Sequence, residues 1–358
     1  MKWKKISLTD FIWFQRGFDL PKDSFINGDF PVVGSTSILG YHIEAKVRSP
    51  GIVTGRSGTI GQFQFIKTDF WPHNTSLWVK EFYGNDEKFA YYLLHTLDFI
   101  SLNGGGAIPS LNRNFLSSIN VSIPSLPTQR KIASILSAYD DLIENNLKRI
   151  KLLEEQAFLK YKGIVSSEKL KAVQLKDVAV VNESTIKANS NIDKLLYVDI
   201  ASVSTGSIDN KTEYDLKEAP GRAKRILKHE DIIWSCVRPN RKSYAFVWQP
   251  ENNLIASTGF AVITSKAIPA TFLYQLTTAN EFVSYLENHA KGATYPAVTA
   301  TDFAEALINI PTDSIMQEYH DAVSPCYELK SILQKQNTKL REARDILLPK
   351  LMNGQIEV

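Results

Sequence analysis

Two loops carry arginine among small or amide residues, a combination suited to binding nucleic acid. The first, GRSGTIG at 55–61, places Arg56 and Ser57 among glycines. Backbone amides in such a tight turn, with a guanidinium and a hydroxyl, suit a phosphate oxygen or a base edge. A strand is expected after it, whereas a dinucleotide fingerprint needs a helix there. A glycine hairpin with an incidental arginine is the alternative interpretation.

The second loop, VRPNRKS at 237–243, lies between two predicted apolar strands. Three of its five residues from Arg238 to Lys242 are positively charged, which favours phosphate contact. Arginine with asparagine also matches the major-groove chemistry of guanine and adenine. A solvated charged turn is the alternative, but arginine in corresponding loops of both halves favours DNA.

Two further loops, 103–115 and 291–303, are polar, and each contains a proline that fixes a turn. Loops on a rigid scaffold commonly carry recognition, so their different sequences predict two related modules with different targets. Their polar residues are Asn103, Asn112, Arg113 and Asn114 in one half and Lys291, Thr294, Tyr295 and Thr299 in the other. The candidate DNA-binding residues are Arg56, Ser57, Asn74, Asn103, Asn112, Arg113, Arg238, Asn240, Arg241, Lys242, Lys291 and Tyr295.

A catalytic alternative rests on three residues in the first half. Asp29, Glu44 and Lys46 fit the loose pattern of metal-dependent nucleases, in which carboxylates hold the ion and lysine supports the attacking water. The spacing is permissive, and the second half has nothing similar. The chain has no Walker A sequence, no Asn-Pro-Pro-aromatic sequence and no Gly-x-Ser-x-Gly elbow, so we expect no catalytic residues.

Composition narrows the class of protein. The chain has 358 residues, 44% of them hydrophobic, and a net charge of +3, which alone does not indicate a nucleic-acid binder. Cys236 and Cys326 are its only cysteines, and the histidines are scattered, so neither a disulfide framework nor a metal site is expected. The N-terminus lacks the apolar core of a signal peptide, and no run approaches a membrane span. We expect a cytoplasmic protein.

An internal repeat organises the chain. Pro109 with Pro296 and Pro124 with Pro311 are each 187 residues apart, and apolar positions between them match without a gap. A repeat of this length predicts two similar domains, each followed by a long helix. We expect a first domain at 1–125, a helical segment at 126–165, a second domain at 166–312 and a helical segment at 313–358. Within the domains we expect a single strand at 71–79 and single helices at 88–102 and 270–286.

The long helices are predicted at 129–162 and 314–351 from apolar steps of three and four. A heptad stripe of this length needs a partner, so we expect an antiparallel pair; two ordinary helices in separate cores are the alternative. Each is expected to restart after a short helix, at Ser137 with Asp140 or at Ser324 with Pro325. The predicted seam and docking residues are Ile132, Leu136, Ile143, Leu147, Ile150, Leu329, Leu333, Leu340 and Leu347.

Several segments together resemble the specificity subunit of type I restriction-modification systems. Both halves close with an Ile-Pro segment and a glutamine-led helix, in which Gln129 is matched by Gln317: IPSLPTQRKIASIL and IPTDSIMQEYHDAV. The chain ends in LREARDILLPKLMNGQIEV, and PGIVTGRSGTIG and GGGAIPSLN also look like segments of that family. The second half lacks the GRxGxxG loop, so its DNA contacts cannot be carried over from the first.

The resemblance implies an α+β protein with two target recognition domains separated by an antiparallel coiled coil. Each domain would read one half of a bipartite DNA site, and the helix pair would dock two methyltransferase subunits that flip and methylate adenine. Restriction and motor subunits would join them. S-adenosylmethionine, ATP and Mg would be bound by those partners, and no cofactor by this chain.

The helices would also set the spacing between half-sites. The 26 residues from Ser137 to Lys162 span about 39 Å, close to one turn of B-DNA. Besides the stand-alone nuclease, a silent DNA-binding specificity cassette without restriction partners is a further alternative.

Overall fold

The computed structural model describes residues 3–56, 59–99, 113–186 and 193–358, without the side chains of 113–115. Contacts divide the chain into two units. Unit 1 comprises 1–145 with 336–358, and unit 2 comprises 146–335. None of the helices in these described ranges combines the length and the apolar composition of a membrane span.

Unit 1 is built on three small sheets. Its elements are β1 (Lys4–Ser7), α1 (Leu8–Phe11), β2 (Trp13–Arg16), β3 (Phe30–Val33), β4 (Ile38–His42), β5 (Gly51–Gly55), β6 (Phe63–Ile66), β7 (Trp71–Pro72), β8 (Ser76–Glu81), α2 (Glu87–His95), β9 (Asn120–Ile123) and the start of α3 (Leu126–Ser167). The sheet orders are β2-β8-β5-β6, β4-β3-β7 and β1-β9. β5 is buried along its whole length, and the main core packs between its sheet, α2 and the start of α3.

Unit 2 has four sheets. Its elements after α3 are β10 (Lys171–Gln174), α4 (Leu175–Val178), β11 (Ala179–Val181), β12 (Lys194–Val198), β13 (Val203–Ser204), β14 (Ser207–Ile208), β15 (Thr212–Asp215), β16 (Ala223–Ile226), β17 (Ile232–Ser235), β18 (Tyr244–Phe246), β19 (Leu254–Ser257), β20 (Phe260–Ser265), α5 (Ala270–Thr278), α6 (Asn280–His289), α7 (Ala300–Ala304), β21 (Leu307–Ile310) and the start of α8 (Asp313–Met352). The orders are β11-β20-β17-β18, β15-β12-β19-β16, β10-β21 and β13-β14.

The repeat is confirmed by topology. The order β2-β8-β5-β6 of unit 1 matches β11-β20-β17-β18 of unit 2, and β1-β9 matches β10-β21. The last strands begin at Asn120 and Leu307, and the long helices at Leu126 and Asp313. Both pairs keep the offset of 187 residues found in the sequence. The predicted α+β fold with two similar halves is therefore correct.

The predicted restart of each long helix is wrong, because α3 and α8 are continuous. The Ser324 hydroxyl donates to the His320 carbonyl oxygen at 2.7 Å, one turn back in the same helix. The Ser137 hydroxyl bonds the Ser134 carbonyl at 3.4 Å. Since both hydroxyls bond carbonyl oxygens of the preceding turn of their own helix, neither caps a new helix. Pro325 lies inside α8.

Within each unit the two helical segments run antiparallel. In unit 2 the Tyr319 hydroxyl donates to the Ala157 carbonyl at 3.1 Å, and Lys330 lies further along α8 beside Glu154, earlier in α3. In unit 1 Arg344 bonds Asp140 at 2.6 Å. These contacts agree with the predicted antiparallel pairing.

The seam itself is less apolar than predicted. Ile132, Leu136, Ile143, Ile150 and Leu333 are buried, while Leu329, Leu340 and Leu347 are half-buried. Leu147 is 49% exposed, and Asn146 takes the buried position next to it. Lys330 and Asn337 are buried in α8 as well. Apolar spacing could not reveal this, because polar residues occupy these seam positions.

Two predicted single elements are each divided. The segment 71–79 forms β7 and β8 in different sheets, because a turn at 73–75 is closed by the Ser76 amide donating to the His73 carbonyl. The segment 270–286 forms α5 and α6, because Ala279 has extended backbone. The helix predicted at 88–102 ends at His95, where the Thr96 hydroxyl bonds the Leu93 carbonyl.

The two glutamines at the helix starts are not equivalent. Gln129 is buried and bonds the Asn85 side chain, the Asp86 amide and the Pro124 carbonyl at 3.0 to 3.1 Å. Gln317 is exposed and bonds Asp321 of its own helix. The 187-residue offset instead places buried Met316 opposite Gln129. The predicted match between the glutamines is therefore wrong.

Candidate nucleic-acid interface

The basic turn of unit 2 connects β17 to β18 and has an unusual backbone. A 3-10 turn spans Pro239–Arg241, and the residues on either side, Arg238 and Lys242, have left-handed φ angles of 54° and 53°. Non-glycine residues in this region cost about 1–2 kcal/mol each. Asn240 and Arg241 are exposed at the tip, and Lys242 Nζ lies 3.4 Å from Asn280 Oδ1. The predicted residues of this loop therefore lie together on one turn.

The loop at 291–297 is closed on itself. The Lys291 and Ala297 backbones exchange two hydrogen bonds of 2.9 Å, one in each direction. Gly292 has φ +104° beside the Tyr295 carbonyl, 3.1 Å from where a side-chain carbon would lie. A larger residue would be strained there. The loop therefore presents Tyr295, 65% exposed, in a defined position.

These two loops meet around Arg238. Its backbone amide donates to the Pro296 carbonyl at 2.7 Å, and the Val298 amide donates to the Cys236 carbonyl at 2.9 Å. Arg238 Nη2 donates to the Thr294 carbonyl at 3.2 Å, and its guanidinium carbon lies 4.5 Å from the centre of the Tyr295 ring. Residues predicted separately in two loops therefore form one cationic and aromatic surface.

Two residues close in sequence to these loops, Cys236 and Asp302, have shifted pKa values. Burial raises the pKa of the Cys236 thiol to about 11, so the thiol stays protonated and unreactive at neutral pH. Thr299 caps α7 reciprocally with Asp302, and hydrogen bonds from Thr299 hold the pKa of the Asp302 carboxyl below its usual value. Asp302 is not among the residues predicted from the sequence, although Thr-x-x-Asp spacing is a helix-capping signal.

In unit 1, Arg56 and Asn74 lie at the corresponding end of the sheet. The Arg56 amide donates to the Thr75 carbonyl at 3.1 Å, next to Asn74, whose side chain bonds Asp19. Asp19 also lies 3.8 Å from Arg16. Arg56 is half-buried. The structure therefore brings together two of the predicted residues of this half.

Other predictions for unit 1 cannot be placed in this way. Ser57, Asn103 and Asn112 lie outside the described residues. Arg113 begins a 3-10 turn, Arg113–Ser118, but its side chain is not among those described.

Strand pairing relates the arginine loops position by position. Thr54 pairs with Phe63 in unit 1 as Trp234 pairs with Tyr244 in unit 2. Two residues before those partners stand Gly61 and Lys242, and both have left-handed backbone, φ +82° and +53°. When positions are instead counted forward from Thr54 and Trp234, Arg56 corresponds to Cys236 and not to Arg238. The loops are equivalent, but their arginines are not.

Two of the three residues of the nuclease alternative, Glu44 and Lys46, form a surface contact. Glu44 lies 3.6 Å from Lys46, and both side chains are exposed. The Lys46 ammonium stacks over Trp71 at 4.7 Å. Across the described part of the chain, no group of three or more His, Cys, Asp or Glu side chains could hold a metal ion.

Both units expose apolar side chains on their long helices, outside the buried seam. In unit 1 these are Ile135 and Leu142 of α3 and Ile346 of α8. In unit 2 they are Leu147, Leu152, Phe158 and Leu159 of α3 and Ile332 of α8. Leu152 and Leu159 are seven residues apart, so they lie on one helix face. Clustered exposed apolar side chains of this kind are typical of a protein-binding surface.

Comparison with known proteins agrees with this organisation. The profile of the type I restriction modification DNA specificity domain matches residues 1–155 and 167–342. The chain is 27% identical over 310 residues to the type I restriction enzyme MjaIX specificity subunit of Methanocaldococcus jannaschii, covering 76% of this chain and 69% of that protein. It is 30% identical over 138 residues to the HindI specificity subunit of Haemophilus influenzae, covering 36% and 30%.

A solved structure supports the fold. The type I restriction-modification S subunit from M. genitalium superposes with a TM-score of 0.65 at 16% identity, covering 98% of this chain and 96% of that one. The two profile matches leave only short parts of the chain outside a DNA specificity domain. The nuclease alternative therefore has no support, and the chain is a non-catalytic recognition component. With two such domains, it belongs to the family of type I restriction-modification specificity subunits.

Proposed function

We propose that each unit of this subunit reads one half of a bipartite DNA site, through recognition domains at 1–125 and 166–312. The observation that carries the proposal is the repeated connection after β5 and β17. In each unit this connection follows a buried strand and bears an arginine, Arg56 or Arg238. Guanidinium groups on loops of a rigid sheet suit both phosphates and base edges.

The test changes the two loops separately. Full-length chain carrying Arg56→Ala is compared with chain carrying Arg238→Ala and Arg241→Ala, each produced with its methyltransferase partner. Mapping methylated adenines should show one relaxed or lost half-site in the first variant and the other half-site in the second. If both halves change together in each variant, or neither changes, the assignment of one half-site to each unit is wrong.

We propose further that two adenine methyltransferase subunits dock on the exposed apolar helix faces, and that restriction and motor subunits join them in the cytoplasm. S-adenosylmethionine, ATP and Mg would belong to those partners, with none in this chain. The exposed Leu152 and Leu159 support the proposal, because apolar side chains on a helix are suited to a partner helix.

Docking is tested with variants matched in charge. Leu152→Glu with Leu159→Glu lowers the net charge by two, as Lys151→Gln with Lys160→Gln does on the same exposed stretch. The leucine variant should lose the co-purified methyltransferase, while the lysine variant should keep it. Equal retention by both would remove this face from the interface, and a chain that binds no methyltransferase at all would be a silent cassette.

The length of α3 and α8 is proposed to set the spacing of the half-sites. Inserting one heptad into both helices should lengthen the unspecified spacer of the methylated motif and leave the half-sites unchanged. Altered half-sites with an unchanged spacer would contradict this role.

A further inference from the structure

The side chain of Arg238 is held by loop 291–297 on two sides. The Tyr295 ring lies against the guanidinium, 4.5 Å from centroid to carbon, and the Thr294 carbonyl accepts from Nη2 at 3.2 Å. The backbone of Arg238 is fixed as well, because its N–H donates a hydrogen bond to the Pro296 carbonyl oxygen. A surface arginine normally samples many rotamers, whereas this one has a defined plane and direction before DNA arrives.

The backbone of the turn is unfavourable for these side chains. Arg238 and Lys242 are left-handed, a conformation that glycine adopts without a steric penalty. In unit 1 the position equivalent to Lys242, counted back from the paired strand, is Gly61, with φ +82°. A strained lysine where the related unit has glycine, on the same turn as a strained arginine, points to a use for these side chains.

The free edge of the guanidinium has a specific chemistry. Arginine has five N–H donors, and the Thr294 carbonyl is the one hydrogen-bond acceptor of this side chain in the described part of the chain. The remaining donors form a planar fork, which matches the two acceptors O6 and N7 of guanine in the major groove. By contrast, Arg241 is exposed at the tip of the turn, with no carbonyl holding its side chain among the described residues. It suits a phosphate.

We propose that Arg238 reads a guanine in the half-site bound by unit 2, and that Tyr295 is the positioning residue that keeps its guanidinium in the reading plane. The proposal rests on the proposed DNA-recognition function of unit 2 and deepens it. Arg241 contacts the backbone phosphate and carries no base preference.

The experiment uses the full-length chain with its methyltransferase subunits and a duplex library in which one half-site is randomised at a time. Bound duplexes are sequenced, and the affinity of the selected duplex is measured against salt. Arg238→Lys keeps the positive charge but loses the planar pair of N–H donors, and Arg241→Lys is its matched control. Tyr295→Leu removes the aromatic ring, whereas Tyr295→Phe keeps it.

We expect Arg238→Lys to lower the preference for guanine at one position of one half-site about tenfold. Tyr295→Leu should lower the preference for guanine about threefold at the same position, and Tyr295→Phe should keep the preference of the wild type. Arg241→Lys should leave every base preference unchanged. These results would separate base reading from phosphate contact, since a phosphate contact shifts all duplexes equally.

Two results would overturn the proposal. If Arg238→Lys weakens all library members equally, Arg238 contacts phosphate; if Tyr295→Leu keeps the preference of the wild type, Tyr295 does not position it. A wild-type complex that selects no motif from any library would instead overturn the proposed function itself, which keeps the two failures distinguishable.

Discussion

The Lys330 ammonium lies 2.6 Å from the Glu154 carboxylate and 2.8 Å from the Gly206 carbonyl, and its side chain is 7% exposed. This contact joins α8 to α3 and to the turn between β13 and β14. The Gly206 amide in turn donates to the Tyr244 carbonyl, two residues after the basic turn ends. A buried ammonium therefore links the helix pair of unit 2 to the strand that leaves its proposed recognition loop.

Removing one partner of this pair should destabilise unit 2. Glu154→Gln leaves a buried cation without its counter-charge, and we expect a loss of about 2 kcal/mol, below the value for a fully buried pair because Glu154 is partly solvated. Urea unfolding measures the change. The double variant Lys330→Met with Glu154→Gln should recover most of the loss. A Glu154→Gln variant as stable as the wild type would show that the pair contributes nothing.

The two glutamines at the helix starts should differ in their effect on stability. Gln129→Ala leaves the Asp86 amide without its acceptor and the Pro124 carbonyl without its donor, and we expect a loss of about 2–3 kcal/mol. Gln317→Ala, on an exposed helix face, is the matched control and should change stability by less than about 0.5 kcal/mol. Equal losses in urea unfolding would contradict the structural difference between the two sites.

We expect Lys242 to lower the stability of unit 2 through its left-handed backbone and to raise the affinity for DNA through its charge. Lys242→Gly relieves the strained backbone and should stabilise unit 2 by about 0.5–1 kcal/mol. Lys242→Ala keeps the strain and should bring no gain. Both variants remove one cation, so both should reduce the salt dependence of DNA binding by about one unit of slope. Equal stability of the glycine and alanine variants would argue against strain at this residue.

The Asp302 cap should give a small pH dependence. Its folded pKa is depressed by hydrogen bonds from Thr299, so its contribution is present above about pH 4, the unfolded pKa, and is lost as the pH falls through the lower folded value. Asp302→Asn should lose about 0.5 kcal/mol at pH 7, a modest value because the group is largely solvated. The difference from wild type should shrink on acidification; a difference independent of pH would contradict the assignment.

Much of the fold could be predicted from local patterns. Apolar steps of three and four located both long helices to within a few residues, and the 187-residue offset located the repeat, because both signals lie in short windows of sequence. The seam was less predictable. Asn146 and Lys330 are buried by tertiary contacts that apolar spacing does not record, so Leu147 was placed on the seam and proved exposed.

The sequence identified both loops of the candidate interface but not the contact between them. Charge clustering identified the turn at Arg238, and turn chemistry identified the loop at Tyr295, but their stacking joins residues far apart in sequence and depends on the bridge between Val237 and Ala297. The loops after β5 and β17 correspond, as the sequence predicted, but Arg56 and Arg238 do not occupy equivalent positions in them. The loop of unit 2 is one residue longer between the paired strands, so equivalence follows strand register rather than residue type.

The most direct test of the central claim is a map of methylated adenines in the genome of the host, with and without this gene. We expect that one bipartite motif, and only that motif, loses methylation on deletion and regains it when the gene is restored. An unchanged map would contradict the assignment of this chain as the active specificity subunit of its system.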